Sequence, residues 1–275
     1  MQRTTDRPAA PSSNACRAYA ATRPRGRVPD GRGAAGWLAS AVVLAGGGLL
    51  TAGAQASPLA GGAYDIVEAE LVDRRSGTID LWYDHIHTSD ADEIRTSGAL
   101  TTRGTGDWQT TLGFGTDGTE PGAGESDTRA FLNAEGMWLL RDPHRDGYGL
   151  GLAGGVHYDV TEERRGEHYL VAPWSAPWGQ RTTVHANAGV LYDHQADDTE
   201  GIWGAGLDWR FTESWDVILQ VTGDTDSDQD PRAAVGIQRG MLDDLVELDL
   251  AYGRVMDSGE DDEYYFGVSI DAIRF

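Results

Sequence analysis

The residues best suited to chemistry lie in the short string His185-Ala186-Asn187. On a β-strand, residues two apart share a face, so a histidine can deprotonate a serine hydroxyl at that spacing. Asparagine stands at the serine position here, and an amide cannot attack an ester. We therefore interpret His185 and Asn187 as hydrogen-bonding residues of a polar interior, and no enzymatic activity is predicted.

A run of alternating carboxylates at Asp224, Asp226, Asp228 and Asp230 superficially suits a calcium ion. A calcium loop of the EF-hand type needs glycine at its sixth position and glutamate at its twelfth, where this chain has glutamine and valine. The four aspartates are therefore only weak metal candidates in a solvated acidic loop. No metal site and no cofactor is predicted.

The charge of the chain excludes one class of partner. It holds 44 acids and 22 bases, all of the bases are arginine, and the net charge is −22. Seven of the arginines and only two of the acids precede residue 57, so the remainder is more acidic still. Such a body would be repelled by nucleic acid. The only cysteine, Cys16, also lies in that first part, so the body can form no intrachain disulfide and no cysteine-ligated zinc site.

The first 56 residues are predicted to be a secretory signal with a long basic region. An apolar run over 36–53 follows the arginine-rich start, and Ala54-Gln55-Ala56 has the small-X-small pattern of a cleavage site. Cleavage is expected after Ala56. The alternative is a membrane-anchoring helix, because about 18 apolar residues could just span a bilayer.

After residue 76 the sequence alternates with period two, which predicts β-strands. The clearest case is 215–222, where Trp215, Val217, Leu219 and Val221 form one face. Residues 57–77 are taken as an extended N-terminal segment, although 64–71 could form an extra strand. The predicted strands lie near 78–87, 94–103, 107–115, 130–140, 147–160, 167–178, 181–193, 201–211, 215–223, 232–240, 244–255 and 264–275.

Three features favour a closed membrane barrel over a soluble sandwich for residues 78–275. The strands have the length that a tilted membrane strand needs. Tight turns, such as 179–180 and 212–214, alternate with longer acidic loops, such as 116–128 and 224–231. Tryptophan and tyrosine recur near strand ends, where a membrane meets water. The predicted fold is an all-β, closed antiparallel transmembrane β-barrel of about twelve strands, within a range of ten to fourteen, in the outer membrane of a Gram-negative bacterium.

The last strand carries a terminal aromatic residue. Closing on Phe275 is similar to the sorting signature of bacterial outer-membrane barrels, which implies recognition by the barrel assembly machinery. Tyr264 and Phe266 are in one phase of the alternation and Phe275 is in the other. A β-bulge near Asp271 would reconcile the two phases.

From Gly77 to Phe275 the chain resembles outer-membrane barrels of the transporter-like type associated with aromatic-compound (phenol meta-pathway) degradation. The resemblance is carried by 108–114, by the strand 130–140 with Asn133, by 185–189 and by 266–270. It is diffuse, a matter of strand rhythm more than of invariant motifs. It implies a barrel that passes a small molecule and carries over no catalytic residue.

The polar faces of the predicted strands would form the wall of a lumen. Carboxylates outnumber arginines on these faces, so an open path should favour neutral or cationic solutes. The alternatives are a non-conducting structural or adhesive barrel with acidic outer loops and, with low weight, an outer-membrane lipid hydrolase. The acidic loops and the absence of lysine also suggest a halophilic source. Candidate residues of the solute path are Glu135, His157, His185, Asn187, Asp208, Arg210, Glu247 and Asp249, and the same phase includes Asp80, Asp84, Asn133, Asp159, Gln220 and Gln238.

Overall fold

The computed structural model describes residues 66–87, 91–121, 127–225, 231–242, 245–256 and 262–275. The predicted signal and its cleavage site lie outside these residues. One short helix, α1 (Pro143–Asp146), interrupts the strands, and Asp142 caps it by accepting a hydrogen bond from the backbone N–H of His144. Among the described residues, no helix is long and apolar enough to cross a bilayer.

The prediction of a closed antiparallel barrel of twelve strands is confirmed. Each strand pairs antiparallel with its neighbours in the sequence, and the first strand pairs with the last to close the cylinder. The strands are β1 (Ser76–His87), β2 (Ala91–Arg103), β3 (Trp108–Pro121), β4 (Asp127–Arg141), β5 (Gly149–Asp159), β6 (Arg164–Pro177), β7 (Thr182–Asp193), β8 (Asp198–Arg210), β9 (Trp215–Asp224), β10 (Arg232–Met241), β11 (Val246–Val255) and β12 (Asp262–Arg274).

The predicted phase of the strands is also observed. In β9, Leu219 is exposed on the outer face, whereas Ile218 and Gln220 on either side of it are buried inside. The same alternation runs along β1, where Leu81 faces outward and Asp80 inward. The outer surface is therefore apolar and the wall of the lumen is largely polar, the reverse of a water-soluble protein.

The connections lie at two ends of the barrel. Of the fully described connections, the turn end carries 104–107, 142–148, 178–181 and 211–214 together with the C-terminus, and the loop end carries 160–163 and 194–197. The prediction of a long loop over 116–128 is wrong, because β3 continues to Pro121 and β4 begins at Asp127. Backbone pairing holds these strands together beyond the apolar band, for example Thr119 with Asp127, where no hydrophobic alternation marks a strand.

The predicted bulge in the last strand is present. Gly77 of β1 pairs with Ile273, whereas Ile79, two residues on, pairs with Ile270, so β12 contains one extra residue. The Thr78 hydroxyl donates a hydrogen bond to Asp271 Oδ1 at this point, 2.6 Å away. The bulge changes the phase of the strand, and Phe275 at the turn end is exposed.

The described part of the N-terminal segment forms no strand. We use the name lumen segment for residues 66–75, which run inside the barrel and leave it at the turn end to begin β1. At that exit Arg75 N–H donates to Gly104 O, and Phe275 N–H donates to Arg75 O. The apolar core of the molecule therefore lies between the lumen segment and the inner wall.

Candidate functional site in the barrel lumen

The inner wall is acidic. Eight carboxylates are fully buried among the described residues, against one arginine, Arg103. Two further arginines on the wall are half-buried beside acids, Arg232 next to Glu263 and Arg95 with its Nη2 2.8 Å from Glu93 Oε2. The buried carboxylates are Asp80, Asp84, Asp159, Asp208, Asp216, Glu247, Asp249 and Glu263.

Most residues predicted for the solute path lie on this inner wall. Glu135 and His157 are half-buried. Arg210 is the exception, because it ends β8 at the turn end, is 49% exposed, and has its Nε 3.7 Å from Asp216 Oδ1. It lies at the mouth of the lumen and not along it. The fully buried candidates are His185, Asn187, Asp208, Glu247 and Asp249.

Only one of the four weak metal candidates lies within the described residues. Asp224 is the last residue of β9, at the loop end, and its backbone pairs with Ile202. Asp226, Asp228 and Asp230 lie outside the described residues. The inner wall, by contrast, does contain a polar link between strands, since Gln238 Nε2 donates to Asp249 Oδ1 over 2.8 Å between β10 and β11.

Backbone groups of the lumen segment are hydrogen-bonded to side chains of the wall. Ala69 N–H donates to Ser175 Oγ (2.8 Å), and Val72 N–H donates to Gln109 Oε1 (2.9 Å). Val72 O accepts a hydrogen bond from Arg103 Nη1 at 2.9 Å. Buried peptide groups need partners of this kind, because an unpaired buried group costs about 1–3 kcal/mol. The wall is thus built to hold this segment.

Apolar side chains also join the lumen segment to the wall, in two clusters. In the smaller cluster Ile66 packs with Trp82, Ala99, Ile218 and Tyr265. The sequence analysis missed these apolar contacts, because it expected only polar residues inside the barrel. The available signal was β4, where Phe131, Met137 and Leu139 are apolar in the inner phase as well. The other cluster contains Val67, Ala69, Leu71, Met137, Leu139, Ala153, Tyr169, Val171, Leu191 and Ile202.

Two glycines of the wall make room for the lumen segment. A Cβ on Gly149 would lie 2.2 Å from Ala69 O, and a Cβ on Gly206 would lie 2.6 Å from Ile66 Cδ1. A side chain at Gly149 would require the backbone of the segment to move, whereas one at Gly206 would require the Ile66 side chain to shift. Glycine at these positions therefore permits the close approach of the segment.

Polar contacts hold the lumen segment where it reaches the turn end. His144 in α1 has its Nε2 2.9 Å from Glu70 Oε1, and this hydrogen bond raises the pKa of His144 above its ordinary value. Arg74 Nη2 lies 2.9 Å from Asp107 Oδ1, and its Nη1 donates to Thr105 O. These exposed contacts are individually weak, worth about 0–1 kcal/mol each.

His185 lies in a Ser–His–Asp arrangement. Ser175 pairs directly with His185 across β6 and β7, and Ser175 Oγ is 2.9 Å from His185 Nδ1. On the other side of the ring, Asp208 Oδ2 is 3.6 Å from Nε2. The residue types are those of a hydrolytic triad, but the ring nitrogens are exchanged, because in a triad the serine contacts Nε2 and the aspartate contacts Nδ1. The sequence analysis missed Ser175, because it sought a serine on the histidine's own strand.

The cavity that adjoins this group is small. The adjoining cavity has a volume of about 20 Å³ and is lined in part by Ile66, Glu68, His185 and Asp208. That volume suits a water molecule or a single ion. Ser175 Oγ is also buried and accepts the N–H of Ala69. The buried serine oxygen is therefore held as a hydrogen-bond acceptor, an arrangement that suits binding and positioning.

A closed antiparallel barrel with an apolar outer surface and a polar inner wall is the fold of outer-membrane β-barrels. Solved structures of such barrels are similar to this chain. The COG4313 outer membrane channel from Pseudomonas putida F1 matches with a TM-score of 0.57 and 11% identity, over 74% of this chain and 97% of that one. The KdgM porin in complex with disordered oligogalacturonate matches with a TM-score of 0.55 and 8% identity, over 70% and 98%. The NanC porin matches with a TM-score of 0.52 and 11% identity, over 70% of this chain and 98% of that one.

The chain belongs to the family described as Uncharacterised conserved protein UCP029691, whose model matches residues 48–272. No curated protein matches the chain. The predicted resemblance to transporter-like barrels is thus confirmed at the level of the outer-membrane channel fold. The association with aromatic-compound degradation stays a prediction.

Proposed function

We propose that the protein is an outer-membrane channel for a small neutral or cationic solute, and that the lumen segment closes it in the state described above. The observation that carries this proposal is the acidic polar wall enclosed by an apolar outer surface. Some polar side chains of the wall hold the lumen segment. A polar wall also lowers the barrier for a hydrated solute.

The outer surface supports a membrane location. Large apolar side chains are exposed at mid-strand, for example Leu112, Leu132 and Leu250. A ten-residue strand such as β9 is about 34 Å long and, tilted by about 40°, spans about 26 Å along the barrel axis. This height matches the apolar band of about 25 Å in outer-membrane barrels. Exposed Trp178 and Trp209 near the turn end suit the membrane–water interface.

The charge of the lumen supports the choice of solute. Eight buried carboxylates outnumber the buried Arg103 and the half-buried Arg95 and Arg232, so the inner wall is acidic. Such a wall attracts cations and raises the barrier for anions. The oligogalacturonate bound to the KdgM porin therefore gives no guide to the solute here.

A second candidate function is a non-conducting structural or adhesive barrel with acidic outer loops. The lumen segment favours it, because the segment fills the barrel with apolar and hydrogen-bonded contacts. The small cavity beside His185, about 20 Å³, does not favour the third candidate, a lipid hydrolase.

Export and assembly complete the proposal. The chain would lose its signal after Ala56 and would contact outer-membrane lipid through its apolar face. The exposed Phe275 at the turn end offers the barrel assembly machinery a terminal aromatic group. The acidic loops suit a halophilic source, because salt screens their mutual repulsion.

Conductance in planar lipid bilayers tests the proposal. The full protein and a variant lacking residues 57–72 are compared, after heat-modifiable migration on gels has verified that both are folded. We expect the deletion variant to conduct with a reversal potential that indicates cation preference, and the full protein to conduct far less. If neither conducts, the structural barrel is the correct function. An anion-selective pore would contradict the assigned role of the carboxylates.

A further inference from the structure

Three side chains that are distant in the sequence converge inside the barrel. Glu68 comes from the lumen segment, His185 from β7 and Asp208 from β8, and one donor atom of each lies within 4.8 Å of the other two. His185 and Asp208 are diagonal neighbours on the inner wall, since His185 pairs with Gly206. One residue of the segment and two of the wall thus share one small space.

The histidine is oriented as a metal ligand would be. Its side chain is 4% exposed, and its Nδ1 is 2.9 Å from Ser175 Oγ. The serine oxygen has two lone pairs, so it can accept Nδ1–H together with the N–H of Ala69. In that tautomer Nε2 presents a lone pair to the carboxylates. Metal-bound histidines are commonly fixed through the other ring nitrogen in this way.

No hydrogen bond in the structure satisfies Nε2 of His185. Asp208 Oδ2 is 3.6 Å from it, which is beyond the range of an N–H···O hydrogen bond. Two ligand atoms bound tetrahedrally to one zinc ion, each at about 2.1 Å, are about 3.4 Å apart. The observed spacing therefore suits a shared ion better than a direct contact, and the cavity of about 20 Å³ beside these residues can hold one.

We propose that Glu68, His185 and Asp208 bind one divalent transition-metal ion of the zinc class, and that this ion ties the lumen segment to the barrel wall. One imidazole and two carboxylates are a ligand set that such ions accept, whereas calcium needs six to eight oxygens. Ser175 acts as a positioning residue, because it fixes the ring of His185. The site depends on where the lumen segment lies and not on solute passage.

Zinc titration by calorimetry tests the site. The protein is isolated from membranes in detergent, stripped with EDTA and titrated with zinc chloride. We expect one zinc ion per barrel and at least tenfold weaker binding in each of Glu68→Gln, His185→Gln and Asp208→Asn. His157→Gln, a change of a half-buried wall histidine on β5, should leave the affinity unchanged. Absence of binding, or binding that the three variants leave intact, would overturn the proposal.

A single thiol tests the tie between the segment and the wall. In a Cys16→Ser background the chain has no other cysteine, so Leu71→Cys places one thiol on the buried side of the segment. Zinc should slow its reaction with a maleimide at least tenfold, EDTA should reverse the effect, and His185→Gln should abolish it. Zinc binding with an unchanged labelling rate would refute the tie. Neither measurement uses conductance, so a failure here leaves the proposed channel function standing.

Discussion

A single arginine can show whether the outer surface contacts lipid. Leu219 and Leu140 are leucines on the outer face with the same exposure, 46% each. Leu219 is the fifth of the ten residues of β9, whereas Leu140 is next to last in the fifteen-residue β4, at the turn end. The two positions therefore differ mainly in their depth along the barrel axis. In water, replacement of either exposed leucine by arginine would change stability by only about 0.5 kcal/mol.

In a bilayer the two substitutions should destabilise the barrel by different amounts. Four residues of tilted strand place Leu219 about 10 Å along the axis from the turn end of β9, close to the middle of the apolar band. Arginine at that depth costs about 2–4 kcal/mol, and near the interface about 0–1 kcal/mol. We therefore expect Leu219→Arg to destabilise the barrel by at least about 1 kcal/mol more than Leu140→Arg.

Urea unfolding in lipid vesicles, followed by tryptophan fluorescence, measures this difference. The same pair measured in detergent micelles is the control, because a micelle adapts to a charge more easily than a bilayer does. Equal costs in vesicles, within about 0.5 kcal/mol, would show that the outer face does not meet hydrocarbon. The membrane location would then have to be abandoned.

Three further predictions concern the lumen. Gly149→Val should expel the lumen segment, because a Cβ at this position would lie 2.2 Å from Ala69 O. The variant should therefore show a higher bilayer conductance. Gly136→Val is the control and should leave the conductance unchanged, because its Cβ would have no neighbour nearer than 3.9 Å. The hydrogen bond to Glu70 raises the pKa of His144. The stability that this contact gives to the folded protein is therefore complete below the ordinary pKa of histidine, and it is lost as the pH rises through the raised pKa. Melting temperatures at pH 5.5 and 9 should therefore differ by less in His144→Gln, and an equal difference would contradict the assignment. Changing Glu247 to Gln together with Asp249 to Asn should weaken cation preference in the conducting deletion variant without preventing folding, and an unchanged reversal potential would contradict a role for these two acids.

The fold could be predicted from the sequence because the barrel repeats one local rule. Each strand alternates between lipid and lumen, so Trp215 to Val221 alone determine the phase of β9. The opposite phases of Phe266 and Phe275 even predicted the bulge near Asp271. The strand ends were predicted less accurately, as at 116–128. Paired strands that extend beyond the apolar band carry no hydrophobic alternation from which their ends could be predicted.

The interior was harder to predict because its contacts join distant parts of the chain. The N–H of Ala69 meets Ser175 across 106 residues, and no local pattern records that pairing. The inner phase correctly placed His185 and Asp208 on the wall. It could not show that Glu68 would reach them, since this requires the path of a segment that forms no strand.

The seam between the first and the last strand has a kinetic consequence. The hydrogen bond from Thr78 to Asp271 joins residues 193 positions apart, so the seam is among the longest-range pairings in the molecule. Contacts of such separation form late. Until then β1 and β12 present two unpaired edges, which are templates for joining other chains. The yield of assembled protein therefore depends first on whether the barrel closes before its open edges pair with other chains, and only afterwards on the stability of the closed barrel.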